Sequence, residues 1–208
     1  MSVTSELFLE ACRAGYIEVI KELINKGFNP DEGLINAIEK RNKDIVKYLL
    51  KKGANANAIN NEGYSALSLA VFLDKEEIVE LLLETGADIH HKKDEALILA
   101  AGGGRLEIIK LLFSKGAYIH AQDDNALIMA VKRENKITVN IEGEIGERHS
   151  QRAFNVTNLS GIAMENTIYE KTVKLLLKLG ANAQAQDNKA LAIAASEGQT
   201  SIVELLLN

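Results

Sequence analysis

The sequence predicts an all-α repeat solenoid, built from helix-turn-helix units with short β-turn fingers and carrying one inserted β-hairpin. Three observations lead there. Gly27, Gly53, Gly86, Gly116 and Gly180 each follow an aliphatic run and recur at spacings of 26, 33, 30 and 64 residues. A shorter helix centred on an alanine precedes each run, at Ala11, Ala37, Ala70, Ala100 and Ala130, and again at Ala194. One segment, residues 136–159, instead places its apolar residues on alternate positions. Self-similarity at such a period means that each unit buries its apolar face only against its neighbours.

Each element has a local reason to form. The aliphatic runs are VIKELI, IVKYLL, IVELLL, IIKLLF and VKLLLK, with a sixth, IVELLL, closing at Leu207. In one of them Ile78, Val79, Leu81, Leu82 and Leu83 make a helix apolar over a wide stripe, which must be covered on both flanks. The glycine just past each run is where a helix ends most easily in a left-handed conformation. Ala70, Ala100, Ala101, Ala194 and Ala195 let the first helices approach their neighbours closely. Asp74 followed by Glu77, and Thr167 followed by Glu170, fit side-chain caps for second helices. Cys12 takes the position held elsewhere by Ile38, Val71, Ala101 and Val131, and reads as a small core residue.

The unit GYSALSLAVFLDKEEIVELLLETGADIH, residues 63–90, follows the pattern G-x-TPLH-x-A-A-x-x-G-x-x-x-Φ-V-x-LLL-x-x-GA-D-Φ-N, where Φ is aliphatic. By these residues the chain resembles the ankyrin-repeat family. The resemblance implies six repeats in a single domain spanning 1–208, at about 5–32, 33–60, 61–93, 94–123, 124–187 and 188–208. It also implies a concave face of fingers and first helices on which protein partners dock. The TPLH tetrapeptide is degenerate here, as SALS at 65, EALI at 95, NALI at 125 and KALA at 189, which removes the family's Thr and His hydrogen bonds. Repeats three to five turn over in 30 residues, so their fingers are expected to be shortened, at Lys92–Asp94, Gln122–Asp124 and Gln186–Asn188.

Register places the odd segment. Relative to a 30-residue repeat, the fifth repeat carries an insertion at 137–170, in the turn between its two helices. Ile137, Val139 and Ile141, then Phe154 and Val156, read as strands at 137–142 and 152–158 of a β-hairpin around the polar loop GEIGERHSQ. The tail GIAMENTIYE is helical in character and either prolongs or precedes the second helix. A repeat turn tolerates such a graft because few buried contacts cross it.

Composition narrows the function classes. With 208 residues and 47% hydrophobic content the chain can bury a core without disulfides or metal. A formal net charge of −5 gives no basic field for nucleic acid or an anionic membrane. The N-terminus lacks the basic start and apolar run of a secretory signal, and a single cysteine suits a reducing compartment, so a cytoplasmic location is expected, in the producing cell or in a host cell to which the protein is delivered. No cofactor, metal or catalytic residue is expected. His90, His91 and His120 read as turn residues, AGGGR at 101–105 lacks phosphate-loop spacing, and the acceptor motifs at Asn155 and Asn158 lack a secretory context. Glu144, Glu147, Arg148, His149 and Ser150 form a polar hairpin tip, and an enzyme using the 142–152 loop is the least favoured function.

Binding is the better prospect. Most exposed first-helix positions are polar or small, but Phe72 and Leu73 are not, and Tyr64 stands on the preceding finger. These three form an expected aromatic anchor, with a dent at Gly102 and Gly103 and a rim of Glu39, Lys40, Lys132 and Arg133. Glu147, Arg148 and His149 on the hairpin are the second candidate contact. The expected function is a monomeric, non-catalytic protein–protein interaction module. The alternative is a targeting or regulatory ankyrin part of a larger effector protein, suggested by the close at IVELLLN without a glycine.

Overall fold

The structure, a computed structural model, describes residues 3–132 and 159–208. The expected hairpin strands, with Arg133, Glu147, Arg148 and His149, lie outside the described residues. The described residues form an all-α repeat array of twelve helices, divided into two compact parts. The first comprises Met1–Ala96 with Ser114–Gly116, and the second Leu97–Phe113 with Ala117–Asn208. No described helix is long and apolar enough to cross a membrane.

The first part holds α1 (Val3–Ala14), α2 (Ile17–Asn25), α3 (Asp31–Glu39), α4 (Lys43–Lys51), α5 (Ala66–Phe72) and α6 (Glu76–Glu84). First helices pack on first helices, α1 on α3 and α3 on α5, while α4 packs on α6. The second part continues with α7 (Glu95–Gly102, begun in the first part), α8 (Leu106–Ser114), α9 (Ala121–Lys132), α10 (Leu159–Lys178), α11 (Ala185–Ser196) and α12 (Thr200–Leu207). There α9 packs on α10 and α11, and α12 on α10 and α11. The six alanines that centre the first helices are all buried, as are Ile45, Leu49, Ile78, Leu82, Ile108 and Leu112 of the second helices. Each buried aliphatic side chain contributes about 1.5–3 kcal/mol.

All five glycines that close the aliphatic runs are left-handed, with φ between 91° and 101°. In each case the following N–H reaches back to a carbonyl inside the helix, as Ala54 does to Leu49 and Ala181 to Leu176, both at 3.0 Å. These bonds satisfy carbonyls that the helix end would otherwise leave open. Helix starts differ from expectation. Position 75, a lysine without a side-chain cap bond, precedes α6, while Asp74 is left-handed at φ 56° in the turn before it. Thr167 lies inside α10, so it opens no helix; the GIAMENTIYE tail prolongs the second helix of its repeat. Side-chain caps occur instead at Asn42, accepting from Ile45 N–H at 3.2 Å, and at Ser65, accepting from Ser68 N–H at 3.1 Å.

The shortened fingers lie where the spacing put them, but each is a left-handed turn and not a β-turn. Lys92, Lys93 and Asp94 all have positive φ, as do Gln122, Asp123 and Asp124, and Gln186, Asp187 and Asn188. None is glycine, and each such residue costs roughly 1–2 kcal/mol against a right-handed conformation. In two of the three turns a buried carboxylate at the end of the triplet, Asp94 or Asp124, offsets that cost, whereas the third ends in the exposed Asn188. Asp124 Oδ1 accepts the Asn182 N–H at 2.8 Å and lies 3.0 Å from His120 Nδ1; Asp94 lies 3.1 Å from His90 Nδ1. The histidines therefore stand in the turns, as expected, and hold their carboxylates there.

Gly33 marks a close approach of α3 to α1. A Cβ there would stand 2.6 Å from Cys12 Sγ and 3.1 Å from Phe8 Cζ. Cys12 is fully buried, as the core reading requires, and burial pushes its thiol up to about 12.

Three outcomes follow. Gly33→Ala lowers stability by about 1–3 kcal/mol in urea denaturation, and Cys12→Ala in the same chain recovers part of that loss. Native Cys12 stays unlabelled by a thiol reagent at neutral pH and reacts only as fast as the chain opens, because the thiolate is disfavoured. Asp124→Ala costs about 1–3 kcal/mol by stranding the Asn182 amide, whereas Asp123→Gly, at a neighbouring exposed left-handed position, raises the urea midpoint.

Candidate functional site

The expected anchor is built on the long finger between α4 and α5. Asn60 organises that finger: its backbone N–H donates to Tyr64 O at 2.9 Å, and its Oδ1 accepts from Tyr64 N–H at 2.8 Å and Glu62 N–H at 3.1 Å. Gly63 supplies the left-handed corner at φ 82°, and an isolated antiparallel bridge joins Ile59 to Ser65. Ser65 and Ser68 take the two polar places of the TPLH tetrapeptide. Ser68 Oγ donates to Glu95 Oε2 at 2.9 Å and lies 3.1 Å from Ser65 Oγ, so in this repeat hydroxyls replace the missing Thr and His bonds.

Tyr64 is half-buried, and its ring has a partner that sequence inspection missed. Lys92 Nζ sits 5.4 Å from the ring centroid, donates to Gly63 O at 2.7 Å and lies 3.5 Å from Glu95 Oε1. The Lys92 backbone is left-handed, which belongs to the turn of the shortened finger. The lysine comes from the next finger, so no local pattern around Tyr64 could have revealed it. Burial, with Glu95 and Glu62 nearby, pushes the Tyr64 hydroxyl pKa up.

Phe72 ends α5 and Leu73 is its C-cap; both are half-buried on the helix end that leads into the turn. Glu39 and Lys40 hold the corresponding places in α3, Glu39 half-buried and Lys40 exposed. Burial and the Glu62 carboxylate raise the pKa of Glu39, while Arg13 and Lys40 act in the opposite direction. Arg13 is itself tied by its Nε to Asn36 Oδ1 at 2.9 Å. The first part thus places half-buried aromatic and aliphatic side chains and several carboxylates on the finger and first-helix ends.

In the second part, Gly102 is buried and its missing Cβ would meet Met129 Cβ at 3.6 Å. Gly103 lies beneath Arg105, whose Nη1 would be 2.5 Å from a Cβ there and donates to Leu99 O at 3.3 Å. The glycines admit close neighbours, and the guanidinium occupies the space above the second of them. Lys132 ends α9 and is half-buried. This arrangement offers surfaces for contact: aromatic rings, amphipathic lysine and arginine stems, and carboxylates held at helix ends.

Known proteins share the same pattern. The family description "Ankyrin repeats (3 copies)" matches residues 8–93, and "Ankyrin repeat" matches residues 92–124, together more than half of the chain. A 2-5A-dependent ribonuclease of Homo sapiens is 46% identical over 72 residues, 33% of this chain and 10% of that protein. Glycerophosphocholine phosphodiesterase gde1 of Schizosaccharomyces pombe is 35% identical over 91 residues, 40% of this chain and 8% of that protein. Alpha-latroinsectotoxin-Lt1a of Latrodectus tredecimguttatus is 37% identical over 59 residues, 28% of this chain and 4% of that protein. The chain therefore spans a tenth or less of each of these relatives. Left-handed glycines after five of the six aliphatic runs, alanine-centred first helices packed on one another within each part and the matched repeats agree: the chain belongs to the ankyrin-repeat family.

Proposed function

We propose that this chain is a non-catalytic protein–protein interaction module whose principal contact is Phe72, Leu73 and Tyr64, with Glu39 and Lys40 beside them in register. The observation that carries the reading is the half-burial of Phe72, Leu73 and Tyr64 at finger and first-helix ends, positions that most other repeats fill with polar or small residues. A partially buried aromatic pair can lose its remaining water-exposed area to a partner at little entropic cost, since much of its rotamer freedom is already gone. Gly102, Gly103, Lys132 and Arg133 occupy matching positions in later repeats and carry the same proposed role. Glu147, Arg148 and His149 of the insertion are a second proposed contact. The partner is a protein, reached in the cytoplasm by a monomeric chain, with no cofactor and no nucleic acid involved.

A second reading is supported by the comparisons. The matched relatives are far longer proteins, of which the matched stretches cover a tenth or less of the length. On that reading the array is a targeting or regulatory part of a larger protein. Both readings assign it recognition and leave chemistry elsewhere.

Affinity capture from cell lysate tests the proposal with three baits verified as folded by circular dichroism: the intact chain, Phe72→Ala/Leu73→Ala, and a chain with residues 137–166 replaced by a tight turn. A prey held by the intact chain is reduced at least about tenfold by the double substitution, the effect of removing a hot spot worth more than about 1.4 kcal/mol. Loss only with the shortened chain would move recognition to the insertion. No prey with any bait would contradict the interaction-module reading.

A further inference from the structure

The left-handed triplets of the short fingers aim their first side chain back at the preceding finger. In the second part Gln186 opens its triplet and donates from Nε2 to Gln122 O at 3.3 Å and to Asp123 O at 3.1 Å. Lys189 Nζ holds it there, donating to its Oε1 at 3.0 Å. In the first part Lys92 opens the triplet and makes the same reach to the long finger, its Nζ donating to Gly63 O at 2.7 Å. Two triplets of different sequence, Lys92–Asp94 and Gln186–Asn188, thus bond backward from the same position. The Lys92 backbone is itself pinned, because Asp94, two residues on, is buried and lies 3.1 Å from His90 Nδ1.

What Lys92 holds is otherwise loosely tied. Residues 60–64 form the tip of the long finger. Asn60 bonds inside the tip to Glu62, Gly63 and Tyr64, and the bridge between Ile59 and Ser65 closes the hairpin below it. Among the described residues, the Lys92 ammonium makes the one hydrogen bond that ties 60–64 to a residue outside the finger. Toward the preceding repeat, burial and then the Glu62 carboxylate raise the pKa of Glu39, so that side repels the tip instead of holding it. A hairpin of this size is marginal in water, and an outside tie decides whether its tip keeps one conformation.

Charge strengthens every contact of that tie. An ammonium is a stronger donor to Gly63 O than a neutral group. It is drawn to the face of the Tyr64 ring, 5.4 Å from the centroid, and to Glu95 Oε1 at 3.5 Å, while Glu95 Oε2 is fixed by Ser68 Oγ at 2.9 Å. We infer that Lys92 is a charge-dependent latch: it fixes the tip of the long finger and so positions Tyr64, and losing its charge frees the tip while the helices stay packed. Lys92 is then a positioning residue for the proposed contact, acting through Tyr64. The inference rests on the proposed function only for the importance of Tyr64. Its test uses the free chain, so either can fail without the other.

Amide exchange on the full chain, read by NMR, tests the latch with two variants first verified as folded by circular dichroism. Lys92→Met keeps the apolar stem and removes the charge and the donor, whereas Lys92→Arg keeps both. In Lys92→Met the Asn60, Gly63 and Tyr64 amides exchange about tenfold faster than in the wild type, while amides in the middle of α5 and α6 keep their wild-type rates. Lys92→Arg rescues the tip, holding those three amides within about threefold of the wild type. The inference is overturned if Lys92→Met leaves the tip at wild-type rates, or if Lys92→Arg frees it as fully as Lys92→Met does. It is equally overturned if α5 and α6 loosen together with the tip, because Lys92 would then hold the repeat stack and not the finger.

Discussion

The amides just after three of the Gly-Ala turns, those of Asn55, Asp88 and Asn182, find side-chain acceptors in the preceding fingers, and the fingers are arranged around those bonds. Each such bond contributes about 0.5–1.5 kcal/mol, and more is lost where the amide is partly buried, as at Asn182. Asp31 accepts the Asn55 N–H at 2.5 Å, Asn57 accepts the Asp88 N–H at 2.6 Å, and Asp124 accepts the Asn182 N–H at 2.8 Å. Each bond runs from the finger of one repeat to the turn of the next. The asparagine or aspartate at the turn then accepts the N–H two residues on, from Asn57, His90 and Gln184, all at 2.9 Å. Asx side chains do this readily because their short reach imitates a backbone turn. The same turns therefore close their own helix ends and lock onto the preceding repeat.

Shortening the finger by three residues changes who supplies the acceptor. Asp31 and Asn57 stand two places after their turn residue, and in the short finger of α9 that place belongs to His120. A histidine there does not take the role itself. The chain instead makes one left-handed turn, brings Asp124 into the buried position and sets His120 against it. Three consecutive left-handed residues without glycine are unfavourable locally, and they persist because the buried carboxylate is over-determined by its partners.

Repeat register was legible in the sequence because glycine after an aliphatic run and alanine within the first helix have strong, local physical causes. The same holds for Cys12 and for the place of each shortened finger. The conformation of those fingers was not legible: Lys-Lys-Asp, Gln-Asp-Asp and Gln-Asp-Asn contain no glycine to signal positive φ, and their stabilising contacts come from residues as far off as Asn182. Asp74 misled for a related reason, since aspartate is favoured both as a cap and as a left-handed turn residue. At the candidate site, Tyr64, Phe72 and Leu73 could be picked out as apolar departures from a polar face. Lys92 over Tyr64 and Arg105 over Gly103 could not, because long cationic side chains choose their resting place by tertiary geometry.

Amide hydrogen exchange, read residue by residue by NMR on the native chain, tests the interlocking of finger and turn most directly. The Asn55, Asp88 and Asn182 amides should exchange as slowly as amides in the middle of α4, α6 and α10, since each opens only when its repeat separates from its neighbour. Exchange of these three amides at the rate of exposed loop positions, with the helices still protected, would contradict the account.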